Sequence, residues 1–181
     1  MITSATNPKI KHLQKLIRDR KYRYQEKQFV VEVYRQIEGA ANILGLYLSS
    51  AARMPDIAID PDRLHIVERK IFDRLADTEN SQGILAVCAL EYERTICADK
   101  RYVLLDALQD PGNVGTIIRT AAAFGFDGVI ITSGCVDPFS PKVVRATMGA
   151  IFHCAIVLLD DFSQLQGHCV VAADLEGQDI A

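Results

Sequence analysis

Apolar residues are distributed along this chain in two ways. Ile10, Leu13, Leu16 and Ile17 recur at helical spacing with basic residues around them, whereas Phe29–Val33, Leu46–Ser49, Ile84–Leu90 and Tyr102–Ala107 are short, nearly unbroken apolar runs. The first pattern predicts an amphipathic helix and the second predicts buried strands. The helix opens at about Pro8, with Asn7 as N-cap and proline at the favoured first position. Further helices are expected over Arg35–Leu44 and Arg69–Leu75, and short strands over Ile57–Ile59 and His65–Val67, with Asn80-Ser-Gln-Gly as a turn before Ile84. Together these predict a small α/β sandwich. Glu91–Lys100 is polar and reads as a connector. Beyond it, strands near 102–107, 128–132, 155–159 and 169–173 alternate with helices near 114–125, 141–149 and 161–166. That alternation predicts a mainly parallel sheet with helices on both faces. The chain is thus expected to divide into a first domain over 1–98 and a second over 99–181.

The segment Leu-Asp-Ala-Leu-Gln-Asp-Pro-Gly-Asn-Val-Gly-Thr-Ile-Ile-Arg-Thr-Ala-Ala-Ala-Phe-Gly, from 105 to 125, carries the candidate chemistry. It places a polar loop, Gln109–Asn113 with Pro111-Gly112 as its turn signal, between a buried strand and a helix expected over Val114–Phe124. Only Thr116, Arg119 and Thr120 interrupt the apolar character of that helix. A charge buried there without a partner would cost several kcal/mol, so Arg119 should face a polar cleft or hold a counter-charge. Its side chain leans toward the helix N-terminus and can reach the space above the loop lined by Asn113, making an anion and hydroxyl site. On spacing alone the alternative stands equally well: Asn113 is an N-cap and Arg119 pairs with an acidic neighbour. Ser140-Pro141 starts another helix, with Lys142 and Arg145 on one face. Those two either join Arg119 in a basic floor for a ribose-phosphate or are ordinary solvated cations.

Charge adds a second signal. Through residue 28 the chain carries Lys9, Lys11, Lys15, Arg18, Arg20, Lys21, Arg23 and Lys27 against Asp19 and Glu26, a net +6 within a chain whose total is −3. A basic arm interleaved with Tyr22 and Tyr24 suits phosphate contacts and base stacking on single-stranded RNA. A solvated amphipathic helix that binds nothing explains it as well. The remaining composition, 181 residues with 49% hydrophobic and 24% charged, suits one or two small globular domains. No apolar run approaches a membrane span and no secretory start is evident, so the cytoplasm is the default compartment. The five cysteines and four histidines show no paired ligand spacing, which predicts reduced thiols and no metal site.

The string from Gln109 to Gly125, followed by Val129-Ile-Ile and Ser140-Pro-Lys-Val-Val-Arg-Ala-Thr-Met-Gly-Ala-Ile-Phe, resembles the first conserved block of the SpoU/TrmH family of RNA ribose 2′-O-methyltransferases. Ile2-Thr-Ser-Ala-Thr-Asn-Pro-Lys-Ile-Lys-His-Leu-Gln-Lys-Leu and Phe29-Val-Val-Glu resemble the substrate-binding domain that precedes it in many members. The resemblance implies an α/β methyltransferase domain of the knotted SPOUT class and S-adenosylmethionine as cofactor. It also implies a homodimer acting on ribosomal or transfer RNA. It assigns catalysis to Arg119 and Asn113, RNA contacts to Lys9, Lys11, Arg18, Arg20, Lys21, Arg23, Lys142 and Arg145, and cofactor contacts to Asp174, Leu175 and Gly177.

This chain departs from the family pattern in two places. Val33 stands where members commonly have glycine after Phe-Val-Val-Glu. The two later blocks, a Gly-x-Glu-x-x-Gly type loop and a Ser-Leu-Asn-Val-Ser type segment, do not occur before Ala181, so the resemblance reads the chain as a truncated member. Two competing readings remain. A non-catalytic RNA-binding module would bind RNA without cofactor. A Rossmann-type nucleotide-binding domain would use Pro-Gly-Asn-Val-Gly as a phosphate loop, although it lacks G-x-G-x-x-G.

Overall fold

Asn7 caps the first helix as expected, its side chain accepting from the Lys9 N–H at 2.9 Å ahead of α1 (Pro8–Arg18). In this computed structural model, which describes residues 1–75 and 81–173, α1 buries Ile10, Leu13 and Leu16. Asp19 ends that helix and caps the next, α2 (Arg20–Glu26). The chain then builds β1 (Gln28–Val31), a short α3 (Tyr34–Glu38), β2 (Ile43–Ser49), β3 (Leu64–Val67), α4 (Arg69–Phe72) and β4 (Ile84–Ala89). These strands form one sheet in the order β1-β4-β2-β3, with β4 antiparallel to both neighbours and β2 parallel to β3.

Successive side chains of a strand point to opposite faces, and here both faces are covered. Val30, Tyr47, Leu85 and Val87 pack under α1 and α4 with Leu13, Leu16 and Phe72. Phe29, Val31, Leu46, Leu48, Ala86 and Cys88 turn the other way, into a larger core that the second half of the chain completes.

That second half runs through β5 (Tyr102–Leu105), α5 (Pro111–Ala123), β6 (Gly128–Thr132), α6 (Pro141–Ala146) and β7 (Ala155–Leu159). Its three strands are parallel in the order β5-β6-β7. Val114, Ile118, Val129, Ile131, Val143 and Ile156 join Phe29 and Leu46 in one buried cluster. Phe29 and Phe139 meet across the junction with ring centroids 5.4 Å apart. The opposite face of the parallel sheet is capped by the connector and the chain after β7, where Ile96 and Leu165 cover Ile130, Val157 and Leu159. Helices α5 and α6 pass very close to each other. A β-carbon on Gly115 would lie 2.4 Å from the Ala146 Cβ and 2.9 Å from the Val143 carbonyl oxygen, so only glycine allows that approach.

Several expected elements differ. The helix placed over Arg35–Leu44 ends at Glu38, because Ile43 and Gly45 are already paired with β4. Ile57–Ile59 forms no strand. The helix near 141–149 stops at Ala146 and is followed by a 3₁₀ turn over Ala150–Phe152. That near 161–166 is a 3₁₀ turn over Phe162–Leu165, so among the described residues the α-helices of the parallel sheet lie on one face. Residues 169–173, expected as a fourth parallel strand, are exposed and lie outside any ladder of the described residues. Tandem valines have β propensity, but a strand is stabilised by its partner.

Candidate active site and nucleic-acid interface

The loop between β5 and α5 is fastened to the loop after β6. The Thr132 hydroxyl accepts the Ala107 N–H and donates to Asp106 Oδ1, both at 3.1 Å. The Leu108 N–H lies 3.3 Å from Cys135 Sγ, the Val136 N–H reaches the Leu108 carbonyl at 3.0 Å, and the Gln109 side-chain amide donates to the Gly134 carbonyl. Ala107 holds a left-handed φ of 51° within this network, a conformation that costs a non-glycine residue of order 1 kcal/mol and recurs at functional sites. The result is a pre-shaped rim at the carboxyl ends of parallel strands, where open α/β sheets bind their ligands.

Asp110, not Asn113, caps α5, its Oδ1 accepting the Asn113 N–H at 2.7 Å. The helix therefore begins at Pro111, and Pro111-Gly112-Asn113 is its first turn and not a loop. Asn113 is consequently free of capping duty, with its side chain exposed. Thr116 and Arg119 follow it at three-residue intervals and are exposed as well, so α5 is apolar on one side only. Arg119 has no ion pair or hydrogen bond among the described residues, which removes the acidic-neighbour reading there. It opens into a groove of about 420 Å³ together with Arg35, Gln36, Met148 and His153.

The other expected members of a basic floor are placed differently. Lys142 is exposed on the first turn of α6. Arg145 donates to Glu32 Oε2 at 2.7 Å, just past β1, and neither Lys142 nor Arg145 is among the described residues lining the Arg119 groove. Arg35 and His153, which sequence reasoning passed over, do line it. Their only prior signal was charge and ring chemistry, with no motif around Arg35 to single it out.

In the basic arm, Lys9, Lys11, Arg18, Arg20 and Lys21 are exposed. Arg23 is not available to RNA. It is 3% exposed and forms a buried ion pair with Asp137, while its Nη1 donates to the carbonyl of Leu16 at 2.7 Å. Tyr24 is also engaged, its hydroxyl donating to Asp137 Oδ1 at 3.0 Å; burial first, and then the Asp137 charge, raises its pKa well above the ordinary phenol range. Tyr22 bonds His12 at 2.8 Å, so both tyrosine hydroxyls are engaged within the protein. Lys9 Nζ sits 2.9 Å from His65 Nε2. Burial, and secondly the Lys9 charge, lower the His65 pKa. A second cavity, of about 280 Å³, lies where Arg20, Tyr24 and Arg94 meet Thr132, Ser133 and Asp160 at the carboxyl ends of β6 and β7.

Asp174, Leu175 and Gly177 lie outside the described residues. Among the described residues, no group of histidine, cysteine and carboxylate side chains could hold a metal, and no helix is long and apolar enough to cross a membrane.

Two protein families match consecutive stretches of the chain: the MRM3-like substrate binding domain over residues 7–86 and the SpoU rRNA Methylase family over residues 100–180. The 23S rRNA (guanosine(2553)-2′-O)-methyltransferase RlmP of Bacillus subtilis is 34% identical over 160 residues, covering 86% of this chain and 64% of that protein. Human mitochondrial rRNA methyltransferase 3 is 42% identical over 90 residues, 45% of this chain and 21% of its own length. Among solved structures, the AdoMet-bound rRNA methyltransferase from Sinorhizobium meliloti superposes with a TM-score of 0.70 at 29% identity, covering 87% of this chain and 64% of that one. The chain thus matches 64% of the length of the Bacillus subtilis and Sinorhizobium meliloti proteins and 21% of the human one.

Proposed function

Because the chain belongs to the SpoU rRNA Methylase family, we propose that it serves methyl transfer from S-adenosylmethionine to a ribose 2′-hydroxyl of RNA, with residues 1–98 as the substrate-binding unit and 99–181 as part of the catalytic unit. The observation that carries this reading is Arg119, an exposed guanidinium without a partner among the described residues, set on α5 directly after a rigidly fastened loop. Ribosomal RNA is the favoured substrate, since RlmP is named for 23S rRNA. The five cysteines are free thiols, which suits the reducing cytoplasm. A homodimer is proposed by analogy with the family.

S-adenosylmethionine supplies an activated methyl group for direct displacement by the ribose oxygen. The described residues at the carboxyl ends of β5 and β6, Asp106 to Asp110 and Ser133 to Gly134, are mostly open to solvent and do not by themselves enclose a group of that size.

What this chain's own residues contribute is alignment and charge. A guanidinium with a pKa above about 12 does not accept a proton at neutral pH. Arg119 therefore orients an RNA phosphate and stabilises negative charge developing on the ribose oxygen. Asn113, about 1.7 turns earlier on the same helix, offers an amide to position the hydroxyl.

Two measurements test the reading. Calorimetric titration of S-adenosylmethionine into the chain tests the cofactor assignment, and saturable binding supports it. Arg119→Ala should lower methyl incorporation into 23S rRNA transcripts by about 10²–10³-fold, the typical loss for one charge-stabilising donor, while RNA affinity falls by no more than one phosphate contact. Unchanged turnover in Arg119→Ala refutes the catalytic role. RNA binding without cofactor binding identifies the chain instead as a non-catalytic RNA-binding module.

A further inference from the structure

The groove around Arg119 is built from three stretches of chain far apart in sequence: Arg35 and Gln36 from α3, Arg119 from α5, and Met148 and His153 from the segment after α6. No carboxylate lines it among the described residues. Arg35, like Arg119, is exposed and has no ion pair or hydrogen bond among the described residues, whereas Arg23, Arg94 and Arg145 are each engaged by a carboxylate. Like charges sharing a groove without a counter-charge favour an anion between them. His153, exposed at the same groove, offers a ring N–H donor in either protonation state. Gln36 is 3% exposed; its Nε2 donates to the Arg145 carbonyl at 3.0 Å, and its Oε1 has no donor among the described residues.

Two planar guanidinium forks and a ring N–H are the complement of a ribose-phosphate chain, which presents charged oxygens along its length. A volume of about 420 Å³ has room for a nucleotide. We propose that this groove holds the sugar–phosphate backbone of the RNA strand beside the reacting nucleotide, with Arg35 and His153 as phosphate-contacting residues flanking Arg119; this rests on the RNA-methyltransfer reading above. The contact from α3 means that the first sheet's unit grips RNA at two separate places, through its basic arm and through Arg35.

The test is fluorescence anisotropy with a short fluorescein-labelled single-stranded RNA of mixed sequence, titrated across a range of salt. Arg35→Gln and His153→Gln are each expected to weaken binding severalfold. Arg35→Gln should also flatten the log–log salt slope by about 0.7, the value for one phosphate contact on a single strand, and Arg35→Lys should restore that slope. Lys21→Gln, in the basic arm, serves as the reference. If Lys21→Gln weakens binding while Arg35→Gln and His153→Gln leave affinity and slope unchanged, the groove is overturned and the broader RNA reading stands. If the unaltered chain does not bind the RNA, both are overturned.

Discussion

Replacing Arg23 by methionine isolates the contact that joins the basic arm to the second half of the chain. The guanidinium and Asp137 are 4% and 6% exposed at their side chains, so neither charge has water to return to when its partner is removed. Asp137 would keep only the Tyr24 hydroxyl and the Phe139 N–H as donors, and the Leu16 and Ile17 carbonyls at the end of α1 would each lose one. Breaking a buried pair in this way costs about 3–5 kcal/mol, a large part of the roughly 5–15 kcal/mol that holds a typical domain together. At about 2–4 °C per kcal/mol for a chain of this size, Tm should fall by about 6–20 °C. Urea unfolding followed by circular dichroism measures the loss directly, with Arg20→Met, an exposed neighbour, as the control. Combining Arg23→Met with Asp137→Leu and Tyr24→Phe should recover much of the loss, because an apolar replacement of the whole cluster leaves no stranded charge. A loss below about 1 kcal/mol for Arg23→Met, in the range of exposed pairs, would refute the claim that the pair is desolvated and return Arg23 to the pool of RNA-contacting cations.

Two further outcomes are expected. Gly115→Ala should destabilise by about 1–3 kcal/mol, as overpacking does, even though alanine is the better helix former by about 1 kcal/mol, because its Cβ would lie 2.4 Å from that of Ala146; an unchanged urea midpoint would show that α5 and α6 can separate freely. His65 is held below its ordinary pKa near 6.5, chiefly by burial and then by Lys9, so the unfolded chain takes up its proton first as pH falls. Its contribution is therefore complete above about pH 6.5 and is lost as pH drops from there through the lower folded pKa. His65→Gln should remove that slope from a stability–pH profile, and an identical slope in the variant would assign it to other groups.

Much of this arrangement was readable from local pattern. Asn7-Pro8 announced α1, and the apolar stripe at Ile10, Leu13 and Leu16 is the face it buries. Asp110-Pro111 was the same signal for α5, but Asn113 three residues later is an equally good cap by type, and Pro111-Gly112 reads as a turn when taken alone. The strands gave no hint of which side faced what, because β1, β2 and β4 are covered on both faces and so read as continuous apolar runs. Arg23 belonged by composition to the basic arm. Its partner lies 114 residues further along, a distance over which no spacing rule operates. Arg35 and His153 were invisible for the corresponding reason: the groove exists only once α3, α5 and the segment after α6 are brought together.

The core shared by the two sheets also acts as a measuring device. Phe29 on β1 packs against Phe139, and Arg23 on α2 is tied to Asp137, so the surface that carries Lys9, Lys11 and Lys21 is fixed relative to α5 and cannot swing about the connector as a tethered module would. On the proposed function, an RNA held at both places would span a set length between its anchoring phosphates and Arg119. Under that proposed function, the strand length between those two places would set which nucleotide lies beside Arg119, as a ruler does, whatever base it carries.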